Sequence, residues 1–142
     1  MLNMAYRNVL AFAPELAGDH MRPVHFIASA WKDLKAFPDQ ARRDAGFALH
    51  EAQGGGKSVH AKPMAGFGGA NVVEIVVDAD GETFRVVYTV KFEHAIYVLH
   101  AFHKKSKRGK KTPQSDIDMI KSRLKLAEAD HAAKYLTKGP RP

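Results

Sequence analysis

The chemistry available to this chain gathers in two stretches. Arg85 stands inside a strand-like run, Phe84-Arg85-Val86-Val87-Tyr88-Thr89-Val90. Further on, His100-Ala101-Phe102-His103 leads directly into Lys104-Lys105-Ser106-Lys107-Arg108-Gly109-Lys110-Lys111, where all but Ser106 and Gly109 are basic. A guanidinium grips phosphate through paired donors, and imidazole gains and loses a proton near neutral pH. The basic run is anchored by a strand before it and a capped helix after it. Lysines pinned in this way hold a phosphate chain in place, whereas mobile ones only attract it. Phe102 beside them offers a face for a base to stack on. Together these residue types suit single-stranded nucleic acid better than a membrane surface.

Each of these residues also has a plainer use. Basic runs are most often solvated charge. Arg85 fits a cross-strand ion pair with Glu74 or Glu82 as well as it fits a phosphate. His100 shares strand parity with Ile96 and Val98, which makes it a candidate core histidine, while His103 has the opposite parity at the strand end, where side chains reach solvent. A His-x-x-His metal site lacks a third ligand at usable spacing. Lys62, next to Pro63, reads as an RNA contact or a plain surface lysine. Gly54-Gly55-Gly56-Lys57-Ser58 imitates a phosphate-binding loop, but position 51 is Glu, a helix precedes it and none follows, so it reads as a flexible loop.

These groups need a scaffold, and the pattern supplies one. Pro23–Ser29 has the β-branched and aromatic content of a short strand. Ser29 is placed to cap a helix opening at Ala30–Trp31, with Leu34 and Phe37 on its inner side. Pro38 suits the first turn of a second helix, whose Ala41, Ala45, Ala48, Leu49 and Ala52 recur at helical spacing. Gly54–Gly56 end it. Three strands follow over Asn71–Val77, Glu82–Lys91 and Ala95–Phe102, the first two joined by the hairpin signal Asp78-Ala79-Asp80-Gly81. After the basic run, Thr112-Pro113 opens a last helix with one apolar stripe, Ile117, Ile120, Leu124, Ala127 and Tyr135. The expected fold is α+β in the order β-α-α-β-β-β-α, with helices packed on a small, mostly antiparallel sheet.

Composition agrees with one domain of this kind. The 142 residues are 45% hydrophobic with a net charge of +7, which favours anionic partners. The domain is expected over residues 22–138, with residues 1–21 an N-terminal extension for which Met21 offers an alternative start. There is no cysteine, which rules out disulfides, thiolate metal sites and thiol catalysis and fits a reducing, cytoplasmic setting. No apolar run approaches the ~18 residues a membrane span requires, and the first residues lack the pattern of a secretory signal.

With these residues in view, the chain resembles the RelE/HigB superfamily of bacterial toxins, in its phage-derived Gp49-like branch. The resemblance runs from about Arg22 to Tyr135. It is carried by Trp31-Lys32-Asp33-Leu34-Lys35-Ala36-Phe37-Pro38 with Arg42-Arg43, Ala61-Lys62-Pro63-Met64, Phe84-Arg85-Val86-Val87-Tyr88-Thr89, Val98-Leu99-His100-Ala101-Phe102-His103-Lys104-Lys105-Ser106, and Lys111-Thr112-Pro113.

The resemblance implies a RelE-like fold and the toxin of a type II toxin–antitoxin pair. Such a toxin cleaves messenger RNA, often on the ribosome, and is held in check by an antitoxin, here expected to be a helix-turn-helix protein. Arg85 matches the arginine these toxins direct at the scissile phosphate, Lys104 and Lys105 fall where relatives carry basic residues after the last strand, and Lys62 lies near a basic region before the central strands. Some relatives use a tyrosine near the start of the last helix; here no tyrosine lies between Tyr97 and Tyr135, so histidine and lysine would take over proton transfer.

The expected activity is therefore a cofactor-free, metal-independent endoribonuclease in which the RNA 2′-hydroxyl attacks the adjacent phosphate. Arg85 and Lys105 would stabilise the phosphorane and His100 or His103 would move protons. Lys62, Phe102, Lys104, Lys107, Arg108, Lys110 and Lys111 would hold the RNA. Changing Arg85 to Ala should then abolish cleavage while leaving folding intact. The competing expectation is a non-catalytic module that uses the same basic loop to bind RNA or dock an antitoxin.

Overall fold

The computed structural model describes residues 21–69, 71–104 and 112–136. Lys105, Lys107, Arg108, Lys110 and Lys111 lie outside the described residues. Among the rest, strand β1 (Val24–Phe26) leads into helices α1 (Ala30–Lys35) and α2 (Asp39–Gln53). Strands β2 (Ala61–Pro63), β3 (Val72–Ala79), β4 (Glu82–Thr89) and β5 (Ile96–Lys104) follow, and helix α3 (Gln114–His131) runs on into a π-helical turn, Ala132–Leu136. The five strands lie in the order β1-β5-β4-β3-β2; β1 is parallel to β5 and every other neighbour is antiparallel. No helix among these residues is long and apolar enough to cross a membrane.

The sheet is covered on both faces. On one side α1, α2 and the turn between them lay Leu34, Phe37, Ala41, Ala45, Ala48, Leu49 and Ala52 against Val73, Ile75, Val77, Phe84, Val86, Tyr88, Ile96 and Val98. The small alanines let α2 approach the sheet closely, and each fully buried Leu or Ile contributes about 1.5–3 kcal/mol by leaving water. On the other side α3 packs Ile117, Ile120, Leu124 and Ala127, with Tyr135 beyond them, against Val72, Val87, Tyr97 and Leu99. Both helical stripes read from the sequence are therefore the buried faces.

Several local expectations needed correction. The segment around Lys62 and Pro63, read as loop, is the edge strand β2, which pairs Lys62 with Glu74 and Pro63 with Val73; proline is tolerated there because an edge strand needs no donor on its outer side. Pro38 and Pro113 occupy the positions before the first helical turn, and neither Ser29 nor Thr112 caps a helix through its side chain. The Ser29 hydroxyl instead donates to Asp33 Oδ2 at 2.8 Å. The β3–β4 hairpin turns on Asp80 and Gly81, both at positive φ (54° and 78°), as a tight two-residue turn demands.

The correction with the largest consequence is in β5. Val87 pairs with His100 but Tyr88 pairs with Val98, so Leu99 and His100 together oppose one residue of β4. This bulge reverses the alternation. His100 no longer faces α1 and α2 with Ile96 and Val98; it faces α3.

The far end of α3 is tied down by a titratable cluster. The Tyr97 hydroxyl donates to Asp130 Oδ2 at 2.7 Å. His25 Nε2 lies 2.7 Å from the Tyr135 hydroxyl, and His94 Nδ1 lies 3.2 Å from His131 Nε2. Burial, and then neighbouring His94, hold His131 below the ordinary histidine value of 6.5. Burial and the bond to Asp130 push Tyr97 upward. Because the folded state resists protonating His131, its contribution is complete above pH ~6.5 and declines as the pH falls from there toward the lowered folded value. Tyr97 has the opposite sign: its contribution holds up to about pH 10 and is lost above it. The melting temperature is thus expected to fall on acidification from pH 7 to 5, and less so in a His131→Phe variant; thermal melts across that range check it.

Candidate functional site

Residues paired across neighbouring strands share a face of the sheet. The register pairs Lys62 with Glu74, Glu74 with Val87, Val87 with His100, Arg85 with Phe102 and Thr83 with Lys104. Since Val87 and Phe102 belong to the cluster under α3, the whole row of Lys62, Glu74, Arg85, His100, Phe102 and Lys104 lies on the α3 face. Four adjacent strands carry it.

Within that row Arg85 and Glu74 form an ion pair through Nη1 and Oε2, with side chains only 11% and 6% exposed. The cross-strand partner foreseen as the plainer use of Arg85 is therefore present, and it is Glu74; Glu82 pairs with His103 instead, at 2.7 Å. Arg85 Nε is buried and has no hydrogen-bond partner among the described residues. A buried donor without an acceptor costs about 1–3 kcal/mol, so the guanidinium is held in place with one N–H unused.

The pair forms one wall of a cleft of about 490 Å³, with Lys62 beside it and Thr112, Gln114, Ile117 and Lys121 of the α3 side opposite. Its titratable lining is Lys62, Arg85 and Lys121 against Glu74, an excess of positive charge suited to an anion that offers several oxygens.

His100 lies one strand behind this cleft and does not line it. Only 6% exposed, it stacks on Phe102 with ring centres 4.6 Å apart, and its Nε2–H donates to Asp116 Oδ1 of α3 at 2.8 Å. His103 is not brought to this face. It stacks on Phe84, on the α1–α2 side of the sheet, at 4.7 Å, because beyond the bulge strict alternation separates it from both His100 and Phe102. Lys104 ends β5 on the α3 face, buried at 6% exposure.

Sequence reading took Asp116 only for a charge favourable to the helix dipole, and Glu74 only for a structural partner. It passed over Gln114 and Lys121. Nothing local marks Lys121, since its place at the cleft depends on how α3 crosses the sheet.

A family model of phage-derived Gp49-like proteins matches residues 32–125, about two-thirds of the chain and a span that includes Lys62, Glu74, Arg85, His100, Asp116 and Lys121. No curated protein and no solved structure matches the chain. The cationic cleft thus sits wholly inside the matched region, and the chain belongs to the phage-derived Gp49-like family, within the RelE/HigB-like group of toxins.

Proposed function

We propose that this protein is the toxin of a type II toxin–antitoxin pair and an endoribonuclease that cuts messenger RNA, with the ribosome as the setting of cleavage. The observation that carries this reading is Arg85: a guanidinium fixed by Glu74, with one N–H unused, in the wall of a cleft whose other cations are Lys62 and Lys121. In the reaction the 2′-oxygen bonds to phosphorus, the bond to the 5′-oxygen breaks, and the products are a 2′,3′-cyclic phosphate and a 5′-hydroxyl. Charge builds on the non-bridging oxygens in between, and Arg85 with the cleft lysines opposes it; one preorganised donor is worth ~3–4 kcal/mol there. Proton transfer falls to titratable groups that line the cleft, Lys62, Glu74 and Lys121, because His100 is buried behind it. The nucleophile belongs to the RNA, so the reaction draws on no cofactor.

The ion pair itself favours a second reading, in which a neutralised Arg85 is purely structural and the cleft holds RNA without cutting it. An antitoxin with an acidic segment across the cleft would mask the site in either case; a helix-turn-helix protein encoded beside this chain is the expected source. Inducible expression in a bacterial host distinguishes the two readings. The nuclease reading expects growth arrest with new 5′-hydroxyl ends in messenger RNA. Arrest without such ends, or no arrest, favours the binding module.

A further inference from the structure

The loop from β2 to β3, Ala65-Gly66-Phe67-Gly68-Gly69, carries an aromatic ring to the rim of the cationic cleft. Ala65 and Gly66 line that cleft, and Phe67 packs, partly buried, against the core under α3. Gly66 and Gly68 on either side of it lie at φ 95° and 69°, a backbone shape that other residues rarely adopt. A Cβ at either glycine would meet nothing but its chain neighbours within 4 Å, so the space beside the ring is open. The Lys121 ammonium, on an exposed residue that also lines the cleft, lies over the ring at 5.9 Å from its centre. The ring is therefore fastened to the core and yet within reach of a charged group in water. An aliphatic side chain would close the core edge as well; an aromatic face also serves a cation or a base.

We propose that Phe67 is a stacking platform for an unpaired RNA base, covered by Lys121 until the RNA arrives. The inference rests on RNA being what the cleft holds, and it deepens that reading. Magnitudes set the order of exchange. A cation over an exposed aromatic ring shifts an equilibrium about two- to fivefold, whereas a base stacked on such a ring shifts it roughly 5- to 150-fold. The base therefore displaces the ammonium. The freed ammonium is already at the cleft, where Lys62 and Arg85 stand, and meets the phosphate joined to the stacked nucleotide. A paired base keeps its faces inside its own helix, so the platform selects single strands. Every base has a π face, so it selects no sequence. Phe102, the aromatic singled out from the sequence, has its ring stacked on His100 instead.

Binding of the full chain to a short RNA strand blocked by 2′-O-methyl groups tests this, beside the same strand lacking one base at each position in turn. For the unaltered protein, loss of one particular base should weaken binding roughly 5- to 150-fold. Phe67→Leu, which keeps an apolar contact with the core, should weaken binding of the intact strand by the same factor. On the strand lacking that one base, Phe67→Leu and the unaltered protein should bind within about twofold of each other. Phe67→Tyr should bind the intact strand as the unaltered protein does. Equal binding of the intact strand by Phe67→Leu, or a loss in that variant that persists on every abasic strand, would overturn the platform. Cleavage of the unblocked strand is read separately. RNA bound in the expected pattern but left whole removes the nuclease and keeps the platform; RNA cut without any dependence on Phe67 does the reverse. RNA neither bound nor cut by the unaltered protein would remove both.

Discussion

Arg85→Lys lowers the rate of RNA cleavage by about 10²–10³-fold, the size expected when one preorganised charge-stabilising donor is lost, and barely moves the melting temperature. Lysine keeps a positive charge opposite Glu74, so the buried carboxylate stays compensated. It loses the planar fork that meets two phosphate oxygens at once, and with it the unused Nε–H. Lysine is the informative replacement because alanine is not clean. The expectation that Arg85→Ala would leave folding intact does not stand, because Arg85 neutralises a nearly buried Glu74. Single-turnover cleavage of a short RNA beside a thermal melt separates the two effects. A rate within threefold of the unaltered protein would take Arg85 out of the chemistry.

Glu74→Ala has the largest expected effect on stability. Removing one partner of a buried pair leaves the other charge uncompensated, which costs about 3–5 kcal/mol, or on the order of 10–20 °C in Tm for a chain of this size. Arg85→Ala should cost a similar amount. The double variant Glu74→Leu/Arg85→Met should recover most of the loss, since replacing both members of a buried pair with apolar groups of similar volume is often neutral or stabilising. Such a protein would be stable and inactive, which would show that the pair is retained for what it does to RNA. Denaturant melts of the three variants check this. A loss below about 1 kcal/mol in Glu74→Ala would mean that the pair is effectively solvated.

The scaffold was largely legible because its signals are periodic. The alanine face of α2 and the apolar stripe of α3 repeat over several turns, and Asp80-Gly81 marks its hairpin through the positive φ it supplies. What escaped was aperiodic. Three residues of β2 are too few to show alternation, and Pro63 argues against a strand unless the strand lies at an edge. The bulge was invisible because one inserted residue costs nothing in composition yet reverses every face assignment beyond it. That is why His100 read with the parity of Ile96 and Val98, so that a place in the α1–α2 core competed with the proton-transfer role assigned to it.

The site divided along the same line. Arg85 was legible as half of an ion pair, which the structure shows, and that pair stands in the cleft wall where the proposed phosphate contact would be made. His103 was assigned to the same centre as His100 because the resemblance runs through both; the sheet separates them. Asp116 and Lys121 reach the site from a helix whose crossing angle no local pattern encodes. Lys62 joined the cleft through a strand that was not foreseen.

The most direct test of the account is end mapping on defined RNA with the purified protein, in excess chelator, comparing the unaltered chain with Arg85→Lys. The account predicts new 5′-hydroxyl ends paired with 2′,3′-cyclic phosphates for the unaltered chain, and a loss of nearly all of them in the variant. Equal cleavage by both proteins, or RNA left whole by the unaltered chain, would contradict it.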